Sequence, residues 1–311
     1  MRIQGVFHIG TVIAVQDGGN NAMERKSAGV EMNEKMKKLV SLTMDMVKAS
    51  GGRVPDIAHM SEKEHQCAYL KAHFPAEWIY ACAKLREGRR SGKVIGRVSV
   101  RDIGNMIREG KRVTLLMRHA ERPPLDPSDT TFGETLPITE RGRREAEELG
   151  SQLAGIVSPD AALLYASQTF RTIQTACAVD NRLGCAVPVD VRDVLGGGAP
   201  FFGSLDERMR LIAEGRYMER LNEYYDTGEQ VGYRPLVLAT DAMEDSMESL
   251  HSLSSSLVLA VTHDINVASF LAGRGVVARF DESAWPHYLD AAVIAKADGG
   301  DVEYGEFRWN G

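Results

Sequence analysis

Hydrophobic and polar positions divide the chain into two parts with different periodicities. Within residues 1–110 the apolar positions recur at helical spacing, most clearly over residues 32–47. Residues 16–31 are polar and rich in glycine, which is typical of a loop. A serine followed three residues later by an acid predicts further helix starts at Ser61 and Ser99. We therefore expect a mainly helical extension over residues 1–110.

Beyond residue 111, short apolar runs alternate with helical patterns. The runs are residues 113–117, 161–166, 187–191 and 257–261. Helical patterns begin near Thr139, Thr169 and Ile265. Runs of this length between helices are typical of buried parallel strands. They predict an α/β fold, a three-layer sandwich in which helices flank a mostly parallel sheet.

The alternation lapses between the third and fourth runs. Three glycines open this stretch, three serines close it, and residues 205–225 have a helical pattern. We expect an inserted, mainly helical cap over about residues 195–256. Ligands of α/β sheets bind at the carboxyl ends of the strands, so an insertion there would cover the site. The predicted organisation is the extension, of unknown role, and a second domain over residues 111–311.

Composition narrows the partners that we expect. The formal net charge is −6, so no global basic field attracts nucleic acid, and anion binding must come from a local cluster of arginines. No apolar run is long enough for a membrane span. The four cysteines form no CxxC pair, and whether Cys177 and Cys185 pair stays open. We expect a soluble, cytoplasmic protein that does not bind membranes.

Three polar motifs directly follow three of the predicted strands. They are RHAERPP at residues 118–124, SQTFRTIQTA at 167–176 and THDIN at 262–266. Because carboxyl ends of parallel strands meet at one edge of a sheet, we expect these motifs to form one site. Its candidate residues are Arg118, His119, Arg122, Arg171, His263 and Asp264.

This set of side chains suits phosphate chemistry. Arginine pairs with phosphate oxygens through charge-assisted hydrogen bonds. Histidine is a neutral nucleophile near neutral pH, and an aspartate beside an anion site can be kept protonated as a proton donor. The set fits phosphoryl transfer through a phosphohistidine. Since we find no carboxylate cluster for Mg²⁺, we expect neither a metal nor a cofactor.

These motifs resemble those of the histidine phosphatase superfamily, most of all its acid phosphatase and phytase branch. That branch carries RHGxRxP, where this chain has Ala120 in place of glycine, and a His-Asp pair often followed by asparagine, here Asn266. Residues 136–142 resemble the superfamily's LTxxG helix start. The resemblance covers roughly residues 112–295 and leaves out the N-terminal third.

The resemblance implies a role for each candidate. His119 is the nucleophile, His263 binds phosphate and stabilises the developing charge, and Asp264 protonates the leaving oxygen before helping water to attack. Three arginines hold the phosphate oxygens, namely Arg118, Arg122 and Arg171. The implied activity is a metal-independent phosphomonoesterase acting on a small phosphorylated metabolite.

Other functions stay open from the sequence. A phosphatase of phosphoproteins, including phosphohistidine, would have an open pocket rather than a substantial cap. A phosphate-binding scaffold protein without turnover would not need all six candidates. A mutase is disfavoured, because Glu244 and Glu248 do not stand in the mutase acid motif. The N-terminal helices could dock a protein partner, although nothing in the sequence supports one.

Overall fold

The computed structural model of the chain describes residues 20–49, 52–60, 62–74, 77–78, 81, 85, 92–126, 133–198, 201–202, 216–230 and 233–310, with only the backbone for residues 20–33 and 64. The chain divides into two compact units, Met1–Trp78 and Ile79–Gly311. Over these described stretches, no helix has both the length and the apolar character that crossing a membrane requires.

The described part of the first unit is helical. Helix α1 spans Asn20–Ala49 and helix α2 spans Lys63–His73. The predicted loop over residues 16–31 is therefore wrong from Asn20 onward, where the chain is already helical. Polar residues with good helix propensity continue α1 in that stretch, although few apolar residues there mark one face of the helix. Glu62, whose side chain makes no capping bond, is the N-cap of α2. The predicted cap Ser61 lies outside the described residues.

A seven-stranded sheet forms the centre of the second unit. In chain order its strands are β1 (Lys93–Val98), β2 (Arg112–Arg118), β3 (Ala162–Ala166), β4 (Asp190–Val191), β5 (Leu257–Thr262), β6 (Ala291–Lys296) and β7 (Val302–Phe307). Their order across the sheet is β1-β7-β6-β2-β5-β3-β4. Of these strands only β6 runs antiparallel to its neighbours. The predicted α/β fold with a mostly parallel sheet is confirmed.

Helices cover both faces of this sheet. One face packs against α3 (Val100–Arg108), α4 (Glu140–Ala154) and α5 (Phe170–Leu183). On the other face, α6 (Tyr217–Thr227), α7 (Leu236–Glu248) and α8 (Asp264–Gly273) share one hydrophobic cluster with the strands, and α8 packs directly on β2 and β6. Alternate residues of a strand point to opposite faces, so Leu115 joins the first cluster and Leu116 joins the second. The result is three layers with two hydrophobic clusters.

Strand β1 falls within the region that the sequence analysis assigned to the helical extension. It pairs in parallel with β7 at the edge of the sheet, and most of its side chains are exposed. Gly96, at a φ of 73°, lies beside an irregularity in the pairing. An exposed strand with a bulge lacks the apolar run that identifies a buried strand, which is why the pattern missed it. The predicted helix start at Ser99 is confirmed, with a capping box to Asp102.

The insertion differs from the predicted cap over its second half. Helix α7 belongs to a flanking layer, where Met243 and Met247 share a hydrophobic cluster with Val258 of β5. Its end reaches Arg112 at the start of β2, where Glu248 forms an ion pair with that arginine. Residues 236–248 therefore extend toward the end of the sheet opposite to the strand carboxyl ends. Much of the predicted helix over 205–225, up to residue 215, lies outside the described residues.

Candidate active site

The pairing of three neighbouring strands brings the three motifs to one edge of the sheet. Arg118, the last residue of β2, is opposite Thr262, the last residue of β5. Beyond the strands, the amide of His119 donates to the Thr262 carbonyl at 3.0 Å, and the amide of Ser167 donates to the Val261 carbonyl at 3.1 Å. The first residues of all three motifs therefore lie side by side at the strand carboxyl ends.

His119 is held as a neutral imidazole whose Nε2 carries the lone pair. Its side chain is buried, and Nδ1 lies 2.8 Å from the carbonyl oxygen of Ala120. A carbonyl only accepts, so Nδ1 carries the hydrogen and Nε2 carries the lone pair. Burial, followed by the charges of Arg171 and Arg118, lowers the pKa of His119 from 6.5 to about 3. Nε2 has the protonation state that a nucleophile needs.

Arg171 joins the two histidines of the site. It is the second residue of α5 and its side chain is buried. Its Nε donates to Nε2 of His119 at 3.2 Å, and its Nη2 lies 3.4 Å from Nδ1 of His263. Nη1 donates to the carbonyl of Gly133 at 2.6 Å. A guanidinium in a fixed plane is thus centred between the two imidazoles.

His263 is oriented by a buried serine that the sequence analysis gave no role. Nε2 of His263 lies 3.2 Å from the hydroxyl of Ser167, which also contacts the Thr172 hydroxyl at 2.8 Å. Because Arg171 only donates, Nδ1 of His263 is the acceptor and Nε2 donates to Ser167. The ring is nearly perpendicular to that of His119, with centroids 5.5 Å apart. Arg171 therefore sets the tautomer of His263, and Ser167 accepts the hydrogen bond from Nε2 that orients the ring.

Arg118 and Asp264 form an ion pair at the mouth of the site. Nη2 of Arg118 lies 3.1 Å from Oδ2 of Asp264, and Nη1 donates to the carbonyl of Pro286 at 2.6 Å. Asp264 also accepts from the amide of Ile265 at 2.8 Å and from Nε1 of Trp285 at 3.3 Å. Nε of Arg118 is buried and has no hydrogen-bond partner in the part of the chain that the structure describes. Among the described residues, that donor is left without a partner next to the ion pair.

Arg122, the third candidate arginine, is not drawn into this cluster. Its Nη1 donates to the carbonyl of Pro123 at 2.8 Å, and the described contacts do not join it to either histidine. The neighbouring residues 127–132 lie outside the described part of the chain. The structure thus brings together five of the six candidates and leaves Arg122 beside them.

The remaining motif residues support the loop that follows His119. Thr175 accepts from the amide of Ala120 at 2.9 Å, and Gln174 accepts from the amide of Ile138 at 2.9 Å. Thr139 caps α4, as predicted. A methyl group on Gly142 would lie 2.5 Å from the carbonyl oxygen of Glu121, so only glycine allows α4 to approach this loop so closely.

Asn266 attaches the glycine-rich turn to the same edge. Its side chain is fully buried and accepts from the amide of Gly198 at 2.9 Å. Its Nδ2 donates to the carbonyl of Gly196 and to the hydroxyl of Thr262, both at 2.8 Å. The turn that opens the insertion is therefore fixed to the strand that carries His263.

Two aromatic side chains, which were not predicted from the sequence, border the site. Trp285 donates to Asp264, and the ring of Tyr288 lies 4.3 Å from Cζ of Arg118 and 5.8 Å from the His119 ring. Both come from the segment before β6, which has no recognisable motif. The one available signal was the pair of aromatic residues just before the apolar run at residues 291–296.

Within the described stretches, no group of three or more histidine, cysteine, aspartate or glutamate side chains is arranged to hold a metal ion. Cys177 and Cys185 are both free thiols, so the pairing left open by the sequence is not formed in this structure.

The depressed pKa of His119 predicts a specific effect of pH on stability. The pKa of His119 is about 3 in the folded protein and 6.5 in the unfolded chain. Between these two pH values only the unfolded chain binds a proton at His119, so acid favours unfolding. When the pH falls from 7 to 5, we expect the free energy of unfolding of the wild type to decrease by about 2 kcal/mol more than that of His119→Asn. Urea denaturation of both full chains at each pH measures this difference. Equal losses in the two proteins would contradict a neutral His119.

Several solved structures are similar to this chain. A protein histidine phosphatase, SixA, complexed with tungstate is 15% identical, with 62% of this chain and 93% of that chain covered and a TM-score of 0.34. A phosphoglycerate mutase from Bacillus anthracis str. Sterne is 16% identical, covering 62% and 90%, with a TM-score of 0.43. A mycobacterial glucosyl-3-phosphoglycerate phosphatase is 17% identical, covering 64% and 99%, with a TM-score of 0.39. No curated protein matches the sequence.

A family model establishes the family. The model of the histidine phosphatase superfamily, branch 1, matches residues 114–272, which is just over half of the chain. The resemblance to the superfamily is thereby confirmed, whereas the closer likeness to the acid phosphatase and phytase branch is not. With its motifs gathered at one edge of an α/β sheet and more than half of its length matched, the chain belongs to the histidine phosphatase superfamily.

Proposed function

We propose that this protein is a metal-independent phosphomonoesterase that acts on a small phosphorylated metabolite through a phosphohistidine intermediate. The observation that carries this proposal is the contact of one guanidinium, that of Arg171, with the imidazoles of both His119 and His263. A cation beside a neutral histidine nucleophile favours a ligand that is anionic and electrophilic at once. A phosphate ester has both properties.

In the first step, Nε2 of His119 attacks phosphorus in line with the ester bond. The phosphorus–nitrogen bond forms while the bond from phosphorus to the ester oxygen breaks. The hydrogen bond from Nδ1 to the Ala120 carbonyl aims Nε2 and stabilises the positive charge that develops on the ring. The leaving oxygen takes a proton from Asp264.

In the second step, water attacks phosphorus and the phosphorus–nitrogen bond breaks. Asp264 accepts the proton of that water, so inorganic phosphate leaves and the neutral His119 is restored. The donors around Asp264 suit its carboxylate form in the free protein. A bound phosphate brings negative charge beside Asp264 and so favours the protonated form that the first step requires.

Positively charged side chains stabilise the negative charge of the transition state. Arg171 presents donors between the two histidines, and Nε of Arg118 is a buried donor that a phosphate oxygen would satisfy. His263, oriented by Ser167, adds a third group, and we assign Arg122 to the outer phosphate oxygens. Because these groups can neutralise the three phosphoryl oxygens, the mechanism needs no metal ion.

The identity of the proton donor depends on a likeness to the acid phosphatase and phytase branch, which we retain as part of the proposal. RHxxRxP and the adjacent His263 and Asp264 are the motifs of that branch. The ion pair between Asp264 and Arg118 supports it, because the acid then lies next to a group that would hold phosphate.

The first test is hydrolysis of p-nitrophenyl phosphate by the full chain in the presence of EDTA. We expect the wild type to keep its turnover with EDTA, and His119→Ala to lose at least about 10³-fold in kcat, because the nucleophile is gone. His65→Ala, which changes an exposed histidine of the first unit, is the matched control and should be unaffected. Turnover by His119→Ala, or its loss from the wild type with EDTA, would contradict the mechanism.

A second test isolates the proton donor. Nitrophenolate leaves without protonation near neutral pH, whereas an alkoxide such as that of glycerol phosphate needs a proton. We expect Asp264→Asn to lower kcat/KM for glycerol phosphate by about 10²–10⁴-fold, and that for p-nitrophenyl phosphate much less. The ratio of the two kcat/KM values is the measurement, since kcat/KM reports the steps up to the phosphoenzyme. Equal losses on both esters would assign the proton donor to another group.

The choice of substrate distinguishes this function from the two alternatives predicted from the sequence, a phosphoprotein phosphatase and a scaffold protein. Turnover of phosphohistidine peptides over all small esters would favour a phosphoprotein phosphatase, and phosphate binding without any turnover would favour a scaffold protein. The cytoplasmic location, the absence of nucleic-acid partners and a protein partner for the N-terminal helices stay predictions.

A further inference from the structure

One side chain in contact with the cluster has no role in the mechanism above. The ring of Tyr288 lies 4.3 Å from Cζ of Arg118, within the range of a cation–π contact. The same ring is 5.8 Å from the ring of His119, tilted by 44°. Tyr288 thus touches the arginine and also borders the nucleophile.

The backbone ties Tyr288 directly to the strand that carries Arg118. The amide of Arg118 donates to the carbonyl of Asp290 at 2.9 Å, and the amide of Leu289 donates to the carbonyl of Arg118 at 3.2 Å. Leu289 has a φ of 64°, the only positive φ of a non-glycine residue in the described part of the chain. Such a conformation is costly and persists where the surroundings enforce it, often beside a functional site.

The turn is also braced from the far side by a buried ion pair. The carboxylate of Asp290 accepts from the amide of His287 at 2.7 Å and from Nη1 of Arg308 at 2.8 Å. Nη1 of Arg308 also donates to the carbonyl of Trp285 at 2.8 Å. These bonds tie both ends of the segment between Trp285 and Asp290, so the position of the Tyr288 ring is set by the fold rather than by local preference.

Arg118 depends on this segment for its orientation. Of its guanidinium nitrogens, Nη1 is bound to the Pro286 carbonyl and Nη2 to Asp264, while Nε is buried without a described partner. The ring of Tyr288 restricts rotation of the guanidinium out of this plane. Without the ring, the guanidinium would be held only by its bonds at Nη1 and Nη2, and the direction of Nε would be less restricted.

We propose that Tyr288 is a positioning residue for phosphate binding, whose ring holds the guanidinium of Arg118 so that its free donor meets a phosphate oxygen. This inference rests on the proposed function, because it requires that the site binds phosphate. In this inference the aromatic face of Tyr288 holds Arg118, and the Tyr288 hydroxyl has no role. Tyr288 acts through Arg118 and is not itself a catalytic residue.

The experiment is calorimetric titration of inorganic phosphate into the full-length protein and its variants. We expect Tyr288→Leu and Tyr288→Met, which both remove the ring, to raise Kd by about 3- to 30-fold. Tyr288→Phe keeps the ring and should stay within about twofold of the wild type. His287→Ala, an exposed neighbour in the same turn, is the matched control. Circular dichroism and urea denaturation establish that each variant is folded.

A double-mutant cycle tests whether Tyr288 acts through Arg118. In an Arg118→Ala background, adding Tyr288→Leu should change Kd by less than about twofold, because no guanidinium is left to orient. Folded Tyr288→Leu and Tyr288→Met proteins that bind phosphate like the wild type would overturn this inference alone. If Tyr288→Leu raises Kd as much in the Arg118→Ala background as it does in the wild type, the inference is overturned as well. A wild type that binds no phosphate would overturn the proposed function and this inference together.

Discussion

The site depends on the parallel pairing of β5 with β2 on one side and β3 on the other. Parallel strands in fixed register end at the same edge of a sheet, so the residue that follows each strand lies beside the residues that follow its neighbours. This constraint sets His119, Ser167 and His263 side by side although they are far apart in the chain. A one-residue shift of register would turn the side chains of a strand toward the other face and take the site apart.

Given that edge, the electrostatics follow from burial. Placing His119 in the interior beside Arg171 and Arg118 makes its charged form unfavourable, and this lowers its pKa to about 3. The same two arginines place guanidinium donors beside that nucleophile, among them the buried Nε of Arg118. A neutral nucleophile and nearby donors for an anion are thus two results of one arrangement, and the proposed phosphate ester would use both.

The fold class and most of the site could be predicted because their signals are local. VTLLM and LVLAV are short, apolar and followed by polar motifs, which identifies strands β2 and β5 and the residues after them. Strand β1 was missed because its exposed side chains leave no apolar run, and α7 was assigned to the cap because a sequence does not say which layer a helix joins. Trp285 and Tyr288 were missed for a related reason. Their contacts with Asp264 and Arg118 arise from a turn whose shape depends on distant partners such as Arg308.

If His119 carries the phosphoryl group during turnover, that group can be trapped on its side chain. A labile substrate such as p-nitrophenyl phosphate, mixed with the full chain and quenched within one turnover in alkali, preserves phosphohistidine for mass spectrometry of the peptides. We expect one phosphoryl group on the peptide that contains His119, lost on mild acid treatment and missing from His119→Ala. Turnover with no phosphorylated His119 under these conditions, or a phosphoryl group on another residue, would contradict it.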